Sequence, residues 1–207
     1  MPIMLAGEKE AWKKLASLDP DRVVECTGAE YWEEEDVYAV LVFGKPYLVD
    51  FIERQIREIG PEYHFHFQHA THFNLLVPLY LASCPKAEPS GHLVSPRSLP
   101  QGEAFFKGPH ELPEEVLAHH FGSNPDRLVE TARKLGGTRT EGGDAAVIIP
   151  VFPKLPVTVI LWVGDLEFPA RAKMLLDETA ARLPLDALWA LLMMTAEAMT
   201  QVAGHHH

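Results

Sequence analysis

The stretch Tyr63–Ala82, YHFHFQHATHFNLLVPLYLA, changes its hydrophobic period part-way along, and that change limits the folds open to the chain. Tyr63, Phe65 and Phe67 alternate with His64 and His66, as on the two faces of a β-strand. From about His69 to Ser83 the apolar residues continue without alternation, which predicts a mostly buried helix kinked at Pro78. A strand thus runs into a helix inside a cluster of four histidines, and a fold of helices alone or strands alone is excluded.

The segments on either side agree. Ala11, Trp12, Leu15 and Leu18 recur at helical spacing, and Asp19-Pro20 opens a second short helix that Gly28 ends. Ala29–Trp32 and Val37–Phe43 are rich in β-branched and aromatic residues, with Gly44-Lys45-Pro46 as a turn into a third strand, Tyr47–Phe51. Ile52, Ile56 and Ile59 suit either a helical face or a continued strand up to Gly60-Pro61. Pro85–Gly102 is a proline-rich connection with a short strand at His92–Ser95. Leu112–Phe121 and Asn124–Leu135 read as paired helices, the second with Asn124 as cap, Pro125 at its first position and Gly136 at its end. Ala145–Val151 and Val157–Val163 are β-rich runs joined by a long turn over residues 152–156. Leu183–Val202 is a terminal helix, apolar around most of its circumference, which implies burial or a homodimer contact through residues 185–202. The expected architecture is α+β: residues 1–204 as a single domain, an antiparallel sheet drawn from both halves of the chain, and helices packed on one face. His205–His207 read as the remnant of a purification tag.

Charge and cysteine content narrow the partners. A formal charge of -11, from 29 acidic and 18 basic residues, repels phosphate backbones and anionic lipid surfaces, so neither nucleic acid nor membrane is expected. The N-terminus lacks a basic stretch followed by an apolar run, and the longest apolar segment is interrupted by Asp186 and Glu197. Two cysteines, Cys26 and Cys84, are too few for a disulfide framework, and a reducing cytoplasm is the compartment expected.

The histidines carry the chemistry. His64 and His66 on one strand face place two imidazoles about 6 to 7 Å apart at the backbone, close enough to converge on one ion. His69 and His72 repeat the offer at the i, i+3 spacing of a helix. His64, His66, His69 and His72 are therefore candidate ligands for a transition metal such as zinc, iron or nickel. Phe65, Phe67, Phe73 and Trp162 are candidates for one wall of a pocket for a flat macrocycle, haem or a corrinoid, with a histidine as axial ligand. Histidines satisfied singly by solvent or core hydrogen bonds, and aromatic residues in plain core, are the competing structural readings. Asp165, Glu167 and Asp177, with Arg171 to pair with them, are read as carboxylates near one strand end, suited to acid–base work or to turn and cap roles. His119-His120 at a helix end are expected at the surface.

Two resemblances add to this. His64-Phe65-His66-Phe67-Gln68-His69 resembles the H-x-H-x-D-H signature of the metallo-β-lactamase superfamily, with Gln68 where that family has Asp. It implies a metal-dependent hydrolase in which His64, His66 and His69 are ligands and an acid such as Asp144 completes the site. Over roughly Trp12 to Leu192, the ordered motifs Gly91-His92-Leu93-Val94-Ser95, Arg97-Ser98-Leu99-Pro100, Gly143-Asp144-Ala145-Ala146, Phe152-Pro153-Lys154-Leu155-Pro156, Trp162-Val163-Gly164-Asp165-Leu166-Glu167-Phe168-Pro169 and Leu175-Leu176-Asp177 are similar to domain-of-unknown-function family 3786. That family's members come from anaerobes and are sometimes fused to iron–sulfur modules. The resemblance implies a stand-alone member near anaerobic redox or one-carbon metabolism, with no assigned catalytic residue. The reading reached is a metal- or metal-tetrapyrrole-binding accessory or carrier protein. A metal-dependent hydrolase and a non-catalytic interaction module are the alternatives.

Overall fold

Two helices open the chain in the computed structural model, which describes residues 7–60, 72–83 and 88–204. In α1 (Glu8–Leu15) the residues Ala11, Trp12 and Leu15 share the buried face. For α2 (Pro20–Thr27), the Asp19 carboxylate accepts the Asp21 N–H at 3.0 Å and the Arg22 N–H at 3.4 Å, Pro20 sits where no amide donor is needed, and Gly28 closes the helix at φ 70. Cys26 in this helix is 2% exposed and disulfide-bonded, its partner lying outside the described residues. That is the oxidised arrangement, not the reduced one expected from the low cysteine count.

Strands β1 (Glu30–Trp32), β2 (Val37–Val42), β3 (Lys45–Asp50) and β4 (Gln55–Glu58) form an antiparallel sheet in chain order. Phe43 and Gly44, at φ 51 and 72, make the two-residue turn whose twist matches the flanking strands, so β3 begins at Lys45 and not after Pro46. The ambiguous isoleucine stretch is a strand. Its helical reading fails because the Asp50 carboxylate accepts the N–H groups of Ile52 and Glu53 and Arg54 takes φ 55, which together reverse the chain before Gln55.

Helix α3 (Phe73–Ser83) contains Pro78, as expected, and the strand predicted over Tyr63–Phe67 lies outside the described residues. The second sheet is antiparallel in the order β5-β9-β8-β7-β6, from β5 (Leu93–Val94), β6 (Thr138–Thr140), β7 (Ala145–Phe152), β8 (Leu155–Trp162) and β9 (Arg171–Asp177). The long turn expected over residues 152–156 contracts to Pro153-Lys154, because Phe152 and Leu155 still pair. Strands β6 and β9 were not placed from sequence. In β9 the buried Ala172, Met174 and Leu176 alternate with Arg171, Lys173 and Leu175.

Strands from both halves thus contribute, gathered into two sheets. A bulge between Ile149 and Phe152, where Pro150 has no N–H to give the ladder, accompanies a Val151 carbonyl that accepts the Phe43 N–H of the first sheet at 3.1 Å. Around the sheets pack α4 (Gly102–Phe105), α5 (Glu114–Phe121), α6 (Pro125–Lys134) and α7 (Leu185–Gly204). Asn124 caps α6 by accepting the Arg127 N–H at 3.1 Å, as the sequence predicts. Twelve of the twenty residues of α7 are buried against α3, α5, α6 and the rest of one continuous core, while Leu185, Trp189, Met193 and Glu197 form a half-buried stripe along it. Among the described residues no helix is long and apolar enough to cross a membrane.

Candidate functional site

The residue immediately before α3 is His72, the one member of the histidine cluster that falls within the described residues. His64, His66 and His69, with Phe65 and Phe67, lie outside them. The His72 carbonyl accepts the Leu76 N–H at 2.9 Å and so starts the helix, which directs the ring toward α7. There it meets Trp189 edge-on, with centroids 5.3 Å apart and planes at 82°. Trp189 in turn meets His110 at 5.3 Å and 88°, and His110 stacks on Phe105 at 4.4 Å. Trp189 Nε1 donates to the Glu111 carbonyl at 3.3 Å, which holds the indole between the two imidazoles.

Beside His72 is a hollow of about 340 Å³ lined by His72, Pro113, Val116, Met193, Ala196, Glu197 and Thr200. Trp189, Met193, Glu197 and Thr200 recur at helical spacing, so one face of α7 supplies one wall, and the start of α5 supplies the other. His72 Nδ1 is buried in this wall with no hydrogen-bond partner among the described residues. A buried polar atom left unpaired costs about 1 to 3 kcal/mol, so its persistence here calls for a partner. Burial lowers the His72 pKa below its usual 6.5, and the Glu197 carboxylate opposes this without prevailing. At neutral pH the ring is therefore neutral, the form in which imidazole donates a lone pair to a metal.

The remaining predicted residues are distributed elsewhere. Phe73 is fully buried, its ring 4.9 Å from that of Tyr47 in the core, while Trp162 ends β8 with the Arg171 guanidinium 5.8 Å above its ring. Phe73 thus packs beside the first sheet, on Tyr47 of β3, and Trp162 belongs to the second. The three carboxylates are not gathered at one strand end: Asp165 and Glu167 precede β9 and Asp177 ends it, with a seven-residue strand between them. Asp165 is a turn residue, accepting the N–H groups of Glu167 and Phe168. Asp177 is 2% exposed and saturated, accepting from Ser90 Oγ, the Gly91 N–H at 2.7 Å, the Thr179 N–H at 3.0 Å and Thr179 Oγ1 at 2.6 Å. Burial alone would raise its pKa, but the bonds from Thr179, Ser90 and Gly91 outweigh burial and pull it down to about 2. Asp144 accepts the Val163 N–H at 2.7 Å, fastening the loop before β7 to the end of β8. His119 and His120 are exposed at the end of α5, as expected. Among the described residues, no group of three or more His, Cys, Asp and Glu side chains is arranged to hold a metal ion.

Sequence reasoning passed over His110, Trp189, Met193 and Glu197. The legible signal was Glu197, a carboxylate inside an otherwise apolar helix, with Trp189 and Met193 on its face.

The family model described as Domain of unknown function (DUF3786) matches residues 19–198. The chain belongs to this family. No curated protein and no solved structure matches it. The matched span contains both sheets and all of the residues lining the hollow except Thr200, which lies just past its end.

Proposed function

We propose that the protein binds a metal-containing tetrapyrrole, haem or a corrinoid, as an accessory or carrier protein, with His72 as its axial ligand. The observation that carries this reading is the buried, unpaired Nδ1 of a neutral imidazole beside a hollow. The described residues supply one imidazole and no ligand set of their own. A metal that brings its equatorial ligands with it needs only that one imidazole. Pro113, Val116, Met193 and Ala196 give the hollow an apolar lining suited to a macrocycle edge. Val116 is 46% exposed at its margin, so a flat ring wider than the hollow has room to lie across its mouth. Trp189, tied to the Glu111 carbonyl, backs the imidazole and restricts its rotation.

The test uses protein freed of its terminal histidines and purified without oxygen, titrated separately with haem and with a corrinoid lacking its own lower ligand. A shifted absorption band at one equivalent is expected, with binding weakened by about tenfold or more in His72→Ala. An unshifted spectrum in both titrations, or an unchanged affinity in His72→Ala, overturns the reading. Two equivalents of tightly bound zinc with no macrocycle binding would instead support a metal-dependent hydrolase using His64, His66 and His69.

A further inference from the structure

The α7 wall of the hollow beside His72 presents hydrogen-bond acceptors. Apart from His72, the polar side chains lining the hollow are Glu197 and Thr200. Thr200 Oγ1 donates its proton to the Glu197 carbonyl at 3.0 Å, one helical turn back, so it has only lone pairs left to offer a ligand. The Glu197 carboxylate accepts and cannot donate. Gln201 Nε2 reaches its Oε1 at 3.4 Å, a long bond that steadies the side chain without neutralising it. Glu197 is half-buried, and none of the ion pairs among the described residues includes it. Its charge reaches the site, for while burial lowers the His72 pKa, Glu197 works to raise it. On the opposite wall the amino end of α5 would attract an anion through its dipole, but Glu114 and Glu115 already occupy that first turn. Pro113, Val116, Met193 and Ala196 complete an apolar lining.

Haem and a corrinoid bring different edges to such a surface. Haem carries propionates, anionic acceptors that would set like charge against Glu197 and acceptor against Thr200. A corrinoid carries neutral carboxamides around its rim, each with N–H groups to donate. Its ring also bears one negative charge fewer than a porphyrin, which leaves more positive charge at the metal for a nearby carboxylate to balance. Resting on the axial role proposed above for His72, we infer that Glu197 and Thr200 select a corrinoid over haem, with the Glu197 carboxylate accepting a rim carboxamide N–H. Polar groups placed to pair with a ligand's donors reject a relative that lacks those donors more strongly than an apolar lining does.

Three probes test this on the tag-free, anaerobically purified chain: cobinamide, haem, and haem with its propionates converted to primary amides. Cobinamide is expected to bind about tenfold or more tighter than haem, and the amidated haem to bind tighter than haem itself, which isolates the rim from the choice of metal. Glu197→Gln keeps the side chain's size and should narrow the preference for amidated over unmodified haem by about tenfold, while Glu197→Lys should reverse it. Both porphyrins use the same imidazole, so any change in His72 basicity cancels from that ratio. Circular dichroism and melting temperature of Glu197→Gln should match the unaltered chain. Haem binding as tightly as its amide, or a ratio unmoved by both substitutions, overturns the selection by Glu197 and leaves the axial role of His72 standing. Failure of all three probes to bind overturns both.

Discussion

Asp177 shows how a single side chain earns a structural assignment. Its carboxylate closes the loop around Ser90 and Gly91 onto the end of β9 and caps the turn at Thr179. With a folded pKa of about 2 against an ordinary 3.8, the group stabilises the fold fully above its unfolded value, and the contribution fades as pH falls from about 4 to about 2. The shift corresponds to on the order of 2 kcal/mol. Asp177→Asn should therefore lower urea-unfolding stability by roughly that amount at neutral pH and flatten its dependence between pH 4 and 2. A variant with unaltered acid sensitivity would show that other carboxylates govern that range. His72 is the opposite case, with a buried Nδ1 that has no partner among the described residues, and that contrast is why the functional reading rests on it.

At the scale of elements, local chemistry sets most boundaries. Asn124 and Pro125 start α6 and Gly136, at φ 74, follows its end, all from residues adjacent in sequence. Asn124→Ala should cost about 1 kcal/mol in chemical denaturation, with the fold retained; no change would mean that the packing of α6 on α7 and β7 alone holds its first turn. The isoleucines of residues 52–59 and the alternation in β9 went the other way. An Asx turn at Asp50 overrode the helical spacing of the first, and charged residues at Arg171 and Lys173 masked the second.

For the molecule as a whole, the two sheets are joined by the Phe43–Val151 hydrogen bond and by a core that runs without a break from Trp12 to Val202. Neither sheet has a core of its own, so unfolding should be a single cooperative transition, with far-ultraviolet circular dichroism and tryptophan fluorescence coincident. Separated transitions would show that the halves fold independently.

The α+β class, both helix caps and most strands were readable from Asp19, Asn124, Gly28 and the period-two runs, because caps, turns and periodicity act between near neighbours. Where His72 would find its surroundings was not readable. His110, Trp189 and Glu197 come to it only because α7 docks against α3 and α5, and that docking depends on how distant surfaces fill space together. The same holds for the carboxylates: sequence placed Asp165, Glu167 and Asp177 close along the chain, whereas an extended strand carried Asp177 away from the other two.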